Sequence, residues 1–306
     1  MLPPSDFVAV VNVRRLINEA APKVFADNPT KLAEFNAEID RLKARTGLDA
    51  RSFSTIAVGM RYLNPSPGIT TADTVVIAQG TFNSTALIAA GRLASKGKVQ
   101  EQKYNNATIY VFNVNDQVSV PGMGSMRVRE LAVTAPDANT LVMGELPAVR
   151  ATLDANRARA GGVNADLVNL ATRTPSALIG FGANVPPSLT KGVDFNSDEI
   201  TKLIGSIRQA YGAIGTTANG FDMLMVARTE RAQQAQDLSE TLTQLKQFGG
   251  VLAGQLPEET AKPAQRALNS LQIGAQGNET SLKFELEMAD IATLMRVLKP
   301  KVAEAR

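Results

Sequence analysis

Three stretches of this sequence and one scattered set of carboxylates combine residue types that could do chemistry. Ser188-Leu189-Thr190-Lys191 sets a hydroxyl and an amine three residues apart. One helical turn would carry that amine to the hydroxyl, as in the Ser-x-x-Lys pair of penicillin-binding enzymes. The companion Lys-Thr-Gly and Ser-Asp-Asn elements are absent from the chain. A pattern with two fixed positions arises by chance about once in a sequence this long. Pro186-Pro187 just before it reads more simply as a loop entering a turn.

Asp194-x-Asn196-x-Asp198 starts like a calcium loop, but the sixth position is Glu199 instead of Gly and the twelfth is Gly205 instead of Glu. The same residues suit a helix N-terminus, with Asn196 as cap and Glu199 in a capping box. Glu38, Asp40, Asp222, Glu230, Glu285 and Glu287 supply carboxylates for a glycosidase-like pair. Sugar sites usually stack aromatic rings, and this chain has no Trp and only 4 Tyr, so solvated faces are the simpler reading.

Pro121-Gly122-Met123-Gly124-Ser125-Met126 is the most distinctive loop, flanked by Val118-Ser119-Val120 and Arg127-Val128-Arg129. Its glycines free the backbone, and methionine is a soft, adaptable contact group. It lacks the Gly-Lys-Thr of a phosphate loop. Met123, Met126, Arg127 and Arg129 are therefore the expected contacts for a protein partner or an apolar ligand. The plainer alternative is a hairpin tip with one methionine tucked into the core.

Absences narrow the chemistry further. The 306 residues include no Cys, no His and no Trp. Without Cys there is no disulfide, no thiolate nucleophile and no thiolate metal ligand. Without His, the Ser-His-Asp triads, the Cys-His dyads and the His-ligated zinc and haem sites are excluded. Carboxylate, Lys, Tyr, Ser/Thr and oxygen-ligand chemistry remain. Net charge is only +3, from 32 basic and 29 acidic residues. The basic residues are dispersed and aromatics scarce, which argues against a nucleic-acid partner. No apolar run is long enough for a transmembrane helix. Complete avoidance of Cys and the Pro3-Pro4 start lead us to expect an extracytoplasmic protein, periplasmic or secreted, whose signal peptide is not in this sequence.

These groups need elements to hold them. Phe7 to Val13 reads as a strand, and Leu32, Phe35, Ile39 and Leu42 mark one face of a helix over 31–46 that stops at Gly47. Strands are predicted over 53–62 and 74–80, with a Pro/Gly loop at 64–68 between them. A helix over 84–96 has Asn83 as cap, an apolar face of Leu87, Ile88 and Leu93, and a stop at Gly97. A hairpin over 99–113 turns at Asn105-Asn106, strands at 128–135 and 140–143 flank a turn, and a helix follows over 146–156. After 157–175 the order repeats. Strand 177–183, helix 198–209, strands 210–217 and 222–229, and helix 231–247 ending at Gly249-Gly250 come next. Helix 257–271, a hairpin over 272–288 and a closing helix 290–298 complete it. Asn106-x-Thr108 and Asn278-x-Thr280, each followed by a Phe at Phe112 and Phe284, are a local echo of the duplication.

Short turns between strands imply antiparallel sheets. The expected fold is α+β, two similar halves, each an antiparallel sheet with helices packed on one face: residues 1–160, a linker at 161–175, and 176–306.

Leu2-Pro3-Pro4-Ser5-Asp6 before a Val-rich strand, and Asn139-Thr140-Leu141-Val142-Met143-Gly144-Glu145 before a helix, resemble a loose group of uncharacterised exported bacterial proteins. The resemblance implies export, a duplicated α+β layout and no assigned activity, and it carries no catalytic residue. The reading that follows is a non-catalytic extracytoplasmic binding or interaction protein, with no cofactor and no metal. A hydrolase using Ser-Lys or a carboxylate pair, and a structural subunit of an envelope assembly, are the alternatives.

Overall fold

Phe7–Asn12 (β1) is a short strand with Val8 fully buried, and it lies at the middle of the protein. It pairs antiparallel on one side with Phe53–Tyr62 (β2) and on the other with Ile179–Asn184 (β8). The computed structural model describes residues 1–63, 72–95, 98–120, 124–158, 162–190, 197–255, 258–288 and 290. The remaining strands are Ala72–Gly80 (β3), Val99–Tyr104 (β4), Ala107–Val120 (β5), Gly124–Asp137 (β6), Thr140–Gly144 (β7), Ile207–Thr216 (β9), Gly220–Thr229 (β10), Gln272–Gln276 (β11) and Glu279–Glu287 (β12). All twelve join one antiparallel sheet in the order β11-β12-β10-β9-β8-β1-β2-β3-β7-β6-β5-β4.

Among the described residues ten α-helices accompany it: Val13–Arg15 (α1), Ala21–Val24 (α2), Pro29–Thr46 (α3), Ser84–Ala94 (α4), Leu146–Ala158 (α5), Ala165–Ala171 (α6), Pro187–Thr190 (α7), Asp198–Gly205 (α8), Ala232–Ala253 (α9) and Glu258–Ser270 (α10). Local chemistry sets their ends. Asn28, Asn83, Asn164 and Ser197 accept backbone N–H bonds as caps, and Gly47 closes α3 in the left-handed conformation. Asn105 and Asn106 both have positive φ and turn the β4–β5 hairpin as expected.

The α+β class and the antiparallel pairing hold, and the layout is finer than expected in two ways. The two half-sheets fuse through β1 and β8 into one sheet. The helices cover both faces of it. Val142 belongs to one core with α5 and α6, together with Val8, Val75, Ile77, Val149 and Leu167. Its neighbours Leu141 and Met143 point the other way, into a second core with Val13, Phe53 and Ile88 of α4. Val149 and Leu167 are fully buried, each contributing about 1.5–3 kcal/mol.

From the seam outward, the order is β1-β2-β3-β7-β6 on one side and β8-β9-β10-β12-β11 on the other. The β4–β5 hairpin has no counterpart. The true echo lies one hairpin along from the one expected at Asn106 and Asn278. Asn139 donates its Nδ2 to the Gly80 carbonyl at 3.1 Å, while Gly80 N donates to Asn139 O at 3.2 Å. Asn278 makes the same pair with Thr229, at 3.0 and 2.9 Å.

Other boundaries moved for physical reasons. The segment expected as a linker carries α6, whose Leu167, Leu170 and Ala171 are buried against β8. Ser197, not Asn196, caps α8. The helix expected to reach 209 stops at Gly205, because β9 pairs with β10 from Ile207 and with β8 from Gln209, and ladder bonds on two sides override local propensity. Gly249-Gly250 does not break α9; Leu268 of α10 lies 3.4 Å from where a Cβ would stand on Gly249, and this packing offsets a cost of about 1 kcal/mol per glycine. Leu93 is exposed, not part of the apolar face of α4. The loop at 64–68, Gly97 and the closing helix beyond Asp290 lie outside the described residues.

Two expectations test this layout. Gly180 and Gly182 of β8 let α6 approach the sheet: a methyl at Gly180 would meet the Ala171 carbonyl oxygen, and one at Gly182 would lie 2.8 Å from the Leu167 oxygen. Gly180→Ala should lower the stability by about 3 kcal/mol, read from the urea midpoint. Asn139→Ala and Asn278→Ala should each cost about 1 kcal/mol. Their sites stand seven strand spacings apart, roughly 30 Å, so the double variant should show the sum.

Candidate functional site

The expected contact loop falls between β5 and β6, with Pro121 and Gly122 outside the described residues; Val120 pairs with Gly124 and Val118 with Met126. Met126, Arg127 and Arg129 stand on β6, Arg127 opposite Gln117. Met123 lies outside the described residues. Ser188 sits on α7, and Lys191 lies outside them, as do Asp194 and Asn196. Asp198 is the first residue of α8, next to its cap Ser197.

Most of the named carboxylates pair with a base. Glu38 meets Arg41 at 2.7 Å, Asp40 meets Arg51 at 2.7 Å, Glu230 meets Arg208 at 2.6 Å and Glu287 meets Arg266 at 3.9 Å. Asp222 and Glu285 stand opposite each other on β10 and β12, where Cβ atoms are about 5 Å apart. Among the described residues, no group of three or more His, Cys, Asp or Glu could hold a metal ion.

The densest polar cluster is one the sequence did not announce. Gln209, Arg228 and Glu279 form a cross-strand row on β9, β10 and β12, with Asn184 of β8 at its end. Arg228 donates Nε and Nη2 to Glu279 Oε1 at 3.1 and 2.7 Å, and Nη1 to Gln209 Oε1 at 2.7 Å. Gln209 Nε2 donates to Asn184 Oδ1 at 3.2 Å. Above the row, the Tyr211 hydroxyl donates to Glu279 Oε2 at 3.0 Å and accepts from Arg173 Nη1 at 2.7 Å. The guanidiniums of Arg173 and Arg228 also lie over the Tyr211 ring, at 5.1 and 5.9 Å from its centroid.

Burial and the Glu279 carboxylate push the Tyr211 phenol above its ordinary value, so it stays neutral. Burial by itself would raise the Glu279 carboxyl, but the bonds from Arg228 and Tyr211 outweigh it and hold the carboxyl below its usual range. The acids, bases and hydroxyl of this cluster are thus used up on each other. That is the chemistry of a clamp across strands, not of an open catalytic site.

The hollows differ in kind. The one between the N-terminal segment and α5, lined by Ser5, Arg61, Asp73 and Ala148, is about 120 Å³, below the roughly 300 Å³ of drug-sized ligand pockets, whereas hollows of about 450 Å³ beside Leu2 and Val163 and about 460 Å³ beside Leu93 and Val99 lie wide open to solvent.

What stands out instead is apolar surface. Leu245, Phe248, Val251 and Leu252 of α9 are 47%, 69%, 66% and 62% exposed, well above what a packed helix face allows. Ala235, Leu238 and Ala253 of the same helix are buried. Leu245, Phe248 and Leu252 follow a 3-and-4 spacing and form a second stripe beside the buried one. Thr241 to Ala253 holds one ionisable residue, Lys246, whose ammonium donates to the Leu271 carbonyl at 2.6 Å. The signal was present in the sequence as an apolar arc too wide for one buried face.

No family model matches this chain, and no curated protein does. Solved structures of TP0453 are similar over nearly the full length. Crystal form III gives a TM-score of 0.48 at 9% identity, covering 97% of this chain and 96% of that one. Crystal form I gives 0.47 at 9% identity, covering 96% and 94%. Likeness at this level carries no argument.

Glu279 makes the clamp testable. Its folded pKa is depressed, so its stabilisation is present above the unfolded carboxylate value of about 4.3 and is lost as pH falls through the folded value. Glu279→Gln should cost about 1–2 kcal/mol at neutral pH. The gap to wild type should close in acid, as followed by urea titrations across pH.

Proposed function

We propose that this chain is a non-catalytic, extracytoplasmic interaction protein that takes a protein partner or an apolar ligand on the outer face of α9. The observation that carries the reading is the run Leu245, Phe248, Val251 and Leu252, exposed in a segment almost free of charge. Scattered surface leucines need no explanation, but contiguous exposed apolar groups on one helix mark contact surfaces. A large aromatic at the centre of such a patch is the usual anchor, and Phe248 occupies that position. The self-satisfied cluster around Tyr211 favours binding over turnover. Absence of Cys and the resemblance of the opening and of the 139–145 segment to exported proteins support the extracytoplasmic setting.

Native mass spectrometry on protein exported to a bacterial periplasm, before any harsh wash, tests this. The wild-type chain should carry a discrete added mass, and Phe248→Glu/Leu252→Glu should lose it. Because both side chains are exposed, the variant should keep its melting temperature within a few degrees, about 0.5 kcal/mol per site. A bare wild-type chain, identical in behaviour to the variant, would overturn the proposal.

A further inference from the structure

A sheet of twelve strands has two outer strands, and they differ. β11 is short, uncharged and centred on Gly274. β4 is paired with β5 along all six residues without a bulge, and among the described residues no strand lies on its other side. Its free N–H and C=O groups form an open template. Along it, Gln102 and Tyr104 turn to one face, where Gln102 accepts from Arg150 and Tyr104 donates to Asp154, both on α5. Glu101 and Lys103 turn to the other face, where Glu101 pairs with Arg92 of α4 and Lys103 donates to Thr108 at 2.7 Å.

We propose that β4 pairs antiparallel with β4 of a second copy of this chain, forming a two-fold dimer with a continuous sheet. Directly opposed residues in an antiparallel pair must share a face, which leaves only registers centred on a single residue. Centring on Glu101 would set that carboxylate against its own copy, and centring on Lys103 would do the same with two ammoniums. Centring on Gln102 sets Glu101 of each chain against Lys103 of the other, twice over by symmetry, and pairs five of the six residues of β4, Gln100 through Tyr104. Charge therefore selects one register. Beside the edge, Leu93 of α4 is 82% exposed and shares a hollow with Ala89, Arg92 and Val99; the second copy would cover it. β11 offers no such selection, having no charge to set a register.

Sedimentation equilibrium on the full chain over a concentration series tests the proposal. Wild type should be dimeric. Lys103→Glu and Glu101→Lys should each place like charges in both opposed positions and weaken the dimer at least about tenfold. Mixed in equal amounts, the two variants should form a heterodimer, since every opposed pair is then attractive; this recovery also shows that both fold. Phe248→Glu/Leu252→Glu should remain dimeric, because the inference does not rest on α9. A wild type that is monomeric throughout, a Lys103→Glu chain that dimerises like wild type, or a mixture that stays monomeric would overturn it.

Discussion

Backbone bonds between Phe7–Val11 and Ile179–Ala183 carry the whole architecture, because no other strand pair joins the two halves of the sheet. The ladder runs past both ends: Asn12 N donates to Leu178 O at 2.8 Å, and Asn184 N donates to Asp6 O at 2.7 Å. Strands this short are marginal as isolated pairs. Here β1 is bonded on both sides, and α6 lies over the seam, contacting β8, β1 and β9. That contact depends on bare backbone at Gly180 and Gly182. Phe181, between them, points to the opposite face and stacks on Phe7, with ring centroids 6.3 Å apart. The seam is thus held by hydrogen bonds in its plane and by packing above and below.

Polar groups in the second half follow the same economy. The row from Asn184 to Glu279 binds four neighbouring strands at one end, and Tyr211, with two guanidiniums over its ring, ties that row to Arg173, two residues after α6 ends at Ala171. Among the described residues none of its buried side-chain polar atoms lacks a partner, so desolvation is compensated and the groups rigidify the sheet. The corresponding row in the first half is Asn12, Thr55, Gln79 and Thr140, with Asn12 turned to cap α1. Set against such thorough pairing, the bare apolar stripe of α9 is the exception.

Much of the fold was legible because it is local. β2 falls on the expected residues, and the Asn105-Asn106 turn follows from the tolerance of Asn for positive φ. The misreadings arose where tertiary contacts decide. Whether helices lie on one face or two depends on which pleat is covered, and the alternation in β7 is apolar on both sides. A helix as short as α6, seven residues, has too few turns to show a period. Gly249-Gly250 looks like a stop until Leu268 is placed against it. The clamp around Tyr211 joins residues from β8, β9, β10, β12 and the end of α6, and no spacing in the chain records that convergence.

The position of β1 has a kinetic side. Its first neighbour, β2, follows soon after it in the chain, but its second, β8, lies more than half the chain away. Synthesis at roughly 5–20 residues per second leaves that gap open for on the order of ten seconds. During this interval the emerging N-terminal half can assemble β1-β2-β3 with an unsatisfied central edge, a surface that any extended chain can join. Closing it requires a long loop, so this step carries the largest entropic cost in assembly and falls late. The two-fold layout thus makes a mature sheet with few edges out of an intermediate whose most vulnerable edge is at its future centre, and folding only after the chain is complete is the safest order of events.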